Sequence, residues 1–496
     1  MGELLVGIDL GTTSTKVTLF DPDRGQLASA SEPAALFSNE PGWSEADTKE
    51  WWSNICSLIP LVALSAGVPL SSIAGVATSG MVPALVLLDN EGRALRRAIL
   101  QNDARAVSEI GELSEVLAAS GYDVLGRTGS SLTQQSVAPT WRWLAHHEPD
   151  AIKRTATVVG SYDWLAIALG ARRHVETNWA IESGLYEISG ASADPVREAA
   201  GIPDEVCPVA LAPGTHIGEV DAFAAEATSL PVGTPIYTGG ADHVLAAYAA
   251  GLNKPGEWLV KLGGAGDILV VCDHPVVDGR WYLDAHPAPG LWLPNGCMAT
   301  SGSLLRWVQS LVGDAPLGEL DKEAEMSRPA SLICLPYFLG EKSPLHDPDL
   351  RGCFVGLHLG HTRGDLFRAS MEAVAFGFRN HVDVFGDAGI VVQSGRVSNG
   401  GSGSRVWKQI VVDVLGRELV SISGDGGASL GAALVAAVGS RAIASWELGE
   451  ERGQLGEVIY PRSELASLYD DAYGMYLELQ STVTPVSHRL AARARR

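Results

Sequence analysis

At 496 residues the chain is too long for a single core and calls for two or three domains. Its 46% hydrophobic and 19% charged residues are those of a globular protein, and no apolar run approaches the ~18 residues of a membrane span. A formal net charge of −22 speaks against nucleic acid and anionic membranes as partners, so an anionic ligand must depend on local donors and a metal. The N-terminus lacks a basic start and a cleavage site, and Asp9 interrupts its apolar segment, so cytoplasmic residence is expected. The six cysteines show no metal spacing and are expected to be reduced, mostly buried thiols.

The chain opens with an apolar strand from Leu5 to Asp9, a small-residue turn through Gly11, Thr12 and Thr13, and a second strand from Lys16 to Asp21. This reads as a phosphate-binding hairpin: glycine admits an anion close to the backbone, hydroxyls and N–H groups face its oxygens, and Lys16 adds a charge. Asp9 cannot bind phosphate directly, because both are anionic. An acid just before such a turn suggests a divalent cation bridging it to a nucleotide. The alternative is an ordinary hairpin whose Gly and Thr residues serve only the turn.

Further strands are predicted at Ile73 to Ala77, Leu85 to Asp89, Pro235 to Thr238, Trp258 to Leu262 and Asp267 to Cys272, with helices from Glu50 to Ala66 and Asp242 to Gly251. The alternation is that of an α/β chain. Thr238-Gly239-Gly240-Ala241-Asp242-His243 ends a strand and opens a helix, where Asp242 can be a helix cap or a catalytic acid/base. His243 reads as packed or solvated, since no second ligand stands at metal spacing.

The breaker Leu252 to Gly256 puts the domain boundary between residues 1–251 and 252–496. Beyond it, Trp258 to Val271 repeats the opening theme around Gly263, Gly264, Ala265 and Gly266, which suggests a duplicated domain facing a shared cleft. A coincidence among 56 glycines is the alternative. Gly400, Gly401 and Ser404 precede a helix that closes at Gly416, and glycines there let a purine or ribose approach the backbone. Gly424 to Ala433 reads as a small-residue helix packed beneath that loop.

The order of phosphate hairpin, Gly-Gly-x-Asp, second hairpin and Gly-Gly-Ser loop resembles the FGGY carbohydrate kinases, from Val6 to about Gly439. The segment Gly352 to Glu372 follows the family's C-terminal signature, and Leu335 to Pro344 resembles its Pro-Tyr-x-x-Gly-Glu-Arg-x-Pro element. Pro41 to Asp47 resembles its Gly-Trp-x-Glu-x-Asp segment, and Asn102-Asp103-Ala104-Arg105 the xylulokinases' Trp-Asn-Asp-Gly-Arg. The resemblance implies an actin-like, ribonuclease H-like ATPase fold of two duplicated domains around a central cleft. It also implies ATP and Mg²⁺ as cofactors and a small ketose or polyol, most simply a pentulose such as D-xylulose, as substrate.

By position, Asp242 matches the general base and Asp9 the metal-organising acid. Gly11, Thr12, Thr13 and Lys16 match the first phosphate loop, Gly263, Gly264 and Ala265 the second, and Gly400, Gly401 and Ser404 the adenosine loop. The second loop lacks the family's hydroxyls, which leaves its contact to the γ-phosphate open. Met81, Asp103 and Gln135 fall where the sugar is held; core packing, a surface turn and a solvated loop are their respective alternatives. The resemblance also admits a homodimer. The rival readings are a non-catalytic actin-like nucleotide-binding protein or chaperone-type ATPase, and a sugar sensor that binds without phosphorylating.

Overall fold

The structure, a computed structural model, describes residues 4–398, 400–422, 427–448 and 455–494. Asn399 of the adenosine loop and Gly424 to Gly426 of the small-residue stretch lie outside the described residues.

Leu5, Val6, Ile8 and Leu10 are all fully buried, which is the near-continuous apolar run of a strand covered on both faces. The strand Leu4–Leu10 pairs antiparallel with Ser14–Asp21 and parallel with Ile73–Gly80. They sit centrally in a six-stranded sheet in the order His216–Glu219, Pro235–Ala241, Ile73–Gly80, Leu4–Leu10, Ser14–Asp21, Gly25–Pro33.

A seven-stranded sheet follows, in the order Tyr282–Ala285, Trp292–Met298, Gly266–Val270, Trp258–Leu262, Gly395–Ser398, Leu419–Ile422, Leu455–Ile459. Its central strands repeat the first sheet's plan. Trp258–Leu262 closes a hairpin with Gly266–Val270 and lies parallel to Gly395–Ser398, which lies parallel to Leu419–Ile422. Two sheets of one topology, each led by a Gly-turn hairpin, make this the duplicated actin-like fold.

Each sheet has a hydrophobic core, the first cluster also taking in Leu259, Leu269 and Leu293 of the second sheet, and a third cluster forms a seam on the first sheet. That seam sets the helices Asp242–Ala249 and Gly427–Gly439 against Leu5, Phe20, Ala77 and Tyr237 of the first sheet. Contact is too close for side chains: a Cβ on Gly7 would stand 1.9 Å from the Ser429 carbonyl oxygen, and one on Gly431 2.1 Å from that of Leu245. The small-residue helix therefore packs chiefly on the first sheet, and only Gly427 and Leu430 reach the cavity behind the adenosine loop. Its composition is that of a helix pressed between backbone layers, and the partner could not be read locally.

All six cysteines are free thiols, but only Cys272 and Cys334 are buried, and the other four are half-buried, short of the expected burial. Among the described residues no helix is long and apolar enough to cross a membrane.

Candidate active site

The first hairpin brings charge together by register. Asp9 stands opposite Lys16 on one neighbouring strand and Ser79 on the other, so in a pleated sheet the three side chains share a face. Asp9 Oδ1 is buried without a hydrogen-bond partner. Burial, and next the charge of Asp242, push its carboxyl up to about 7, against Ser79, Lys16 and Lys261, which pull it down. In the turn, the Gly11 amide donates to Ser14 O at 3.0 Å, Thr12 is half-buried and Thr13 exposed.

Asp242 is the first residue of its helix and not the cap, which is Ala241. Its side chain is 36% exposed, and Oδ1 accepts the His243 amide at 2.6 Å and lies 3.3 Å from His243 Nδ1. His243 is neither merely packed nor solvated. Its Nε2 meets Asp284 Oδ2 at 2.9 Å and stands 3.9 Å from Glu182 Oε1. Burial would lower the imidazole's pKa, but Asp284, Asp242 and Glu182 outweigh it and hold it well above the ordinary histidine value. Burial, and next the Asp284 charge, push the Glu182 carboxyl well above the usual carboxylate range.

Glu182, His243 and Asp284 are close enough to hold a cation, which corrects the reading that His243 has no companion at ligand distance. Sequence separation hid them. Asp284 belongs to the second sheet and the other two to helices beside the first; next to them Asn178 and the Ala285 backbone exchange hydrogen bonds of 2.7 and 3.0 Å.

The second hairpin adds Lys261, which sequence reasoning missed. Its ammonium lies 3.2 Å from Asp267 Oδ2. Burial would raise the Asp267 carboxyl, but Lys261 and His243 hold it below its ordinary value. The turn itself is bound to the next helix, with the Gly302 amide donating to Gly263 O at 2.8 Å and the Ser303 amide to Gly264 O at 3.1 Å. Ala265 is exposed.

A cavity of about 980 Å³ opens beside this turn, lined among others by Gly263, Gly264, Gly400, Gly401, Ser404 and Trp407. Gly401 has no room for a side chain: a Cβ there would be 2.3 Å from the Trp407 ring and 2.8 Å from Leu262 O. Ser404 caps the helix Arg405–Leu415, accepting the Trp407 amide at 3.1 Å. Asp321, also unforeseen, lines the same cavity, and burial raises its carboxyl. The cavity joins Gly263, Gly264, Gly400, Gly401 and Ser404; Gly11, Thr12, Thr13, Lys16 and Ala265 are not on its wall.

Of the sugar-side residues, Met81 is buried just beyond the strand that carries Ser79, its carbonyl accepting Ser161 Oγ at 3.1 Å. Gln135 is half-buried in the turn ahead of the helix Val137–His147. Asp103 is buried, not on a surface turn, and its oxygens already serve Arg105 at 2.7 and 2.8 Å and the Ser44 amide at 2.6 Å. Arg105 also pairs with Glu45 at 2.8 Å and lies over the Trp43 ring, so two separate motifs prove to be one buried cluster.

Glu341 and Glu372 of the other family-like segments also make buried contacts within the protein. Glu341 accepts the Ala299 and Lys342 amides, at 2.7 and 2.9 Å, and burial pushes its carboxyl up to about 8. Glu372 pairs with Arg368 at 2.8 Å inside the second core.

The model of the FGGY family of carbohydrate kinases' N-terminal domain matches residues 4–249, and that of its C-terminal domain residues 263–440. The xylulose kinase of Bacillus subtilis (strain 168) is 27% identical over 482 residues, 95% of each chain. The L-xylulose/3-keto-L-gulonate kinase of Escherichia coli (strain K12) is 27% identical over 498 residues, 97% of each. A crystal structure of xylulose kinase from Rhodospirillum rubrum is similar at a TM-score of 0.89 and 41% identity, over 98% of this chain and all of that one.

Proposed function

The chain belongs to the FGGY family of carbohydrate kinases, and within it we propose an enzyme that phosphorylates a small ketose, most simply a pentulose such as D-xylulose. The full-length similarity to proteins named xylulose kinase is the observation that carries this choice.

In the proposed reaction ATP lies in the cavity between Gly263 and Ser404 with its phosphates toward Asp9 and Asp242. Asp242 is the general base. Its Oδ1 is occupied by the His243 amide and ring, which fixes the carboxylate and leaves Oδ2 to take the sugar hydroxyl's proton late in phosphoryl transfer.

Asp9 fits a Mg²⁺ site. It offers a hard oxygen donor, Oδ1, buried and without a hydrogen-bond partner. Bound there, the ion would neutralise charge on the transferring phosphate. Met81 and Gln135 are proposed sugar contacts, and Asp103 contributes by gripping Arg105 and the loop at Ser44.

Closure of 1–251 against 252–496, hinging near Leu252 to Gly256, completes the proposal and excludes water from the phosphates.

The test is a coupled assay of ADP release over D-xylulose, L-xylulose, ribulose, erythrulose and short polyols. Sugar-dependent release with the highest kcat/KM on a pentulose is the expected result. Release at one rate with or without sugar would make the protein an ATPase of this fold, and a best substrate outside the pentuloses would move the specificity.

A further inference from the structure

The two hairpins carry mirrored charge pairs. In the first, the acid precedes the turn and the lysine follows it, Asp9 opposite Lys16; in the second, Lys261 precedes and Asp267 follows, again directly opposite. Because the sheets share one topology, the duplicated hairpins present opposite charges at equivalent places. An acid before the first turn suits a cation. A lysine before the second suits an anion.

Three further observations locate that anion. Lys261 is 8% exposed and sits at the end of the strand leading into Gly263 and Gly264, which line the nucleotide cavity. Its charge acts on Asp9, and that of Asp242 acts on it, so it lies within electrostatic range of both carboxylates proposed for chemistry. The turn after it, Gly263-Gly264-Ala265-Gly266, carries no hydroxyl to donate to a phosphate. An ammonium has three donors, and Asp267 orients the side chain while using one of them.

We propose that Lys261 contacts the γ-phosphate of ATP, replacing the hydroxyl donors that the second turn lacks, with Asp267 as its positioning residue. The inference rests on the kinase reading above. As transfer proceeds, the sugar oxygen bonds to γ-phosphorus, the bridging P–O bond to ADP breaks with its electron pair leaving on ADP, and the hydroxyl proton passes to Asp242. Lys261 holds the charge on the equatorial oxygens throughout and exchanges no proton. A purely structural role, in which Lys261 serves only to neutralise Asp267, makes the opposite prediction for nucleotide binding.

The experiment compares the wild type with Lys261→Met, Lys261→Arg and the double variant Lys261→Met/Asp267→Asn, which leaves no unpaired buried charge. Calorimetry measures affinity for AMP and for the non-hydrolysable analogue AMP-PNP, and steady-state kinetics measures kcat. The double variant is expected to keep its AMP affinity, to lose AMP-PNP affinity by about 10- to 100-fold, the share of one charge-assisted hydrogen bond, and to lose kcat by on the order of 10²-fold. Lys261→Arg is expected to restore part of both.

An AMP-PNP to AMP affinity ratio equal to the wild type's would overturn the assignment. Should the wild type bind AMP-PNP yet phosphorylate no sugar, the kinase reading fails alone, and the affinity ratio still decides Lys261.

Discussion

Replacing Asp9 by Asn is expected to stabilise the protein and to disable it. The carboxyl's pKa rises from its ordinary 3.8 to about 7 on folding, so the folded state binds this proton more tightly than the unfolded chain does. That stabilisation is full below pH 3.8, is lost as pH climbs, and is gone once pH passes about 7. At about 1.4 kcal/mol per pH unit, the ionised carboxylate costs the folded state on the order of 4 kcal/mol at pH 8 and roughly 1.5 kcal/mol at pH 5. Asparagine keeps the shape and has no such charge to bury.

Chemical denaturation without nucleotide or metal should therefore show the variant's advantage over the wild type growing by about 2–3 kcal/mol between pH 5 and pH 8 and levelling above that. The comparison cancels the other raised carboxyls, such as Glu176 and Glu341, which both proteins share. Kinase turnover should fall at the same time, because the residue that weakens the fold is the one proposed to hold the metal. The same stability difference at both pH values would refute the reasoning, since it would mean that Asp9 is ionised throughout.

Asp242→Asn should bind AMP-PNP as the wild type does and lose on the order of 10²- to 10⁴-fold in kcat; near-normal turnover in steady-state assays removes Asp242 as the base. Gly7→Ala places a methyl 1.9 Å from the Ser429 carbonyl oxygen, backbone that cannot yield cheaply. A loss of about 1–3 kcal/mol or more is expected, read as a lowered thermal midpoint. Arg105→Met removes a guanidinium whose side chain is 1% exposed and leaves the buried Asp103 carboxylate without its ion-pair partner, while Glu45 keeps Arg96. The expected cost of about 3–5 kcal/mol would appear as a lower urea midpoint with an unchanged slope.

Much of the scaffold was legible because its signals are local. Leu5 to Asp9, Trp258 to Leu262 and the helix closing at Gly416 were read from alternation, apolar runs and a terminal glycine, and the structure places elements there. The family itself was legible through segments several of whose residues hold the fold together. Glu341 gathers backbone amides, Glu372 holds Arg368, and Trp43, Glu45 and Arg105 lock together. Such motifs identify a fold because many neighbours constrain each residue, and they say little about which sugar is bound.

Sequence alone thus determined the duplicated α/β plan, the glycine turns and the candidacy of Asp9 and Asp242, since these depend on residues adjacent in the chain or on a familiar order of motifs. Tertiary structure decided the charges around them. Glu182, His243 and Asp284 meet across a sheet and two helices, Lys261 acts on Asp9 from the other hairpin, and Gly427–Gly439 crosses to the first sheet. Electrostatic interaction and burial depend on distance through space. The chain fixes that distance only when the two sheets are brought together.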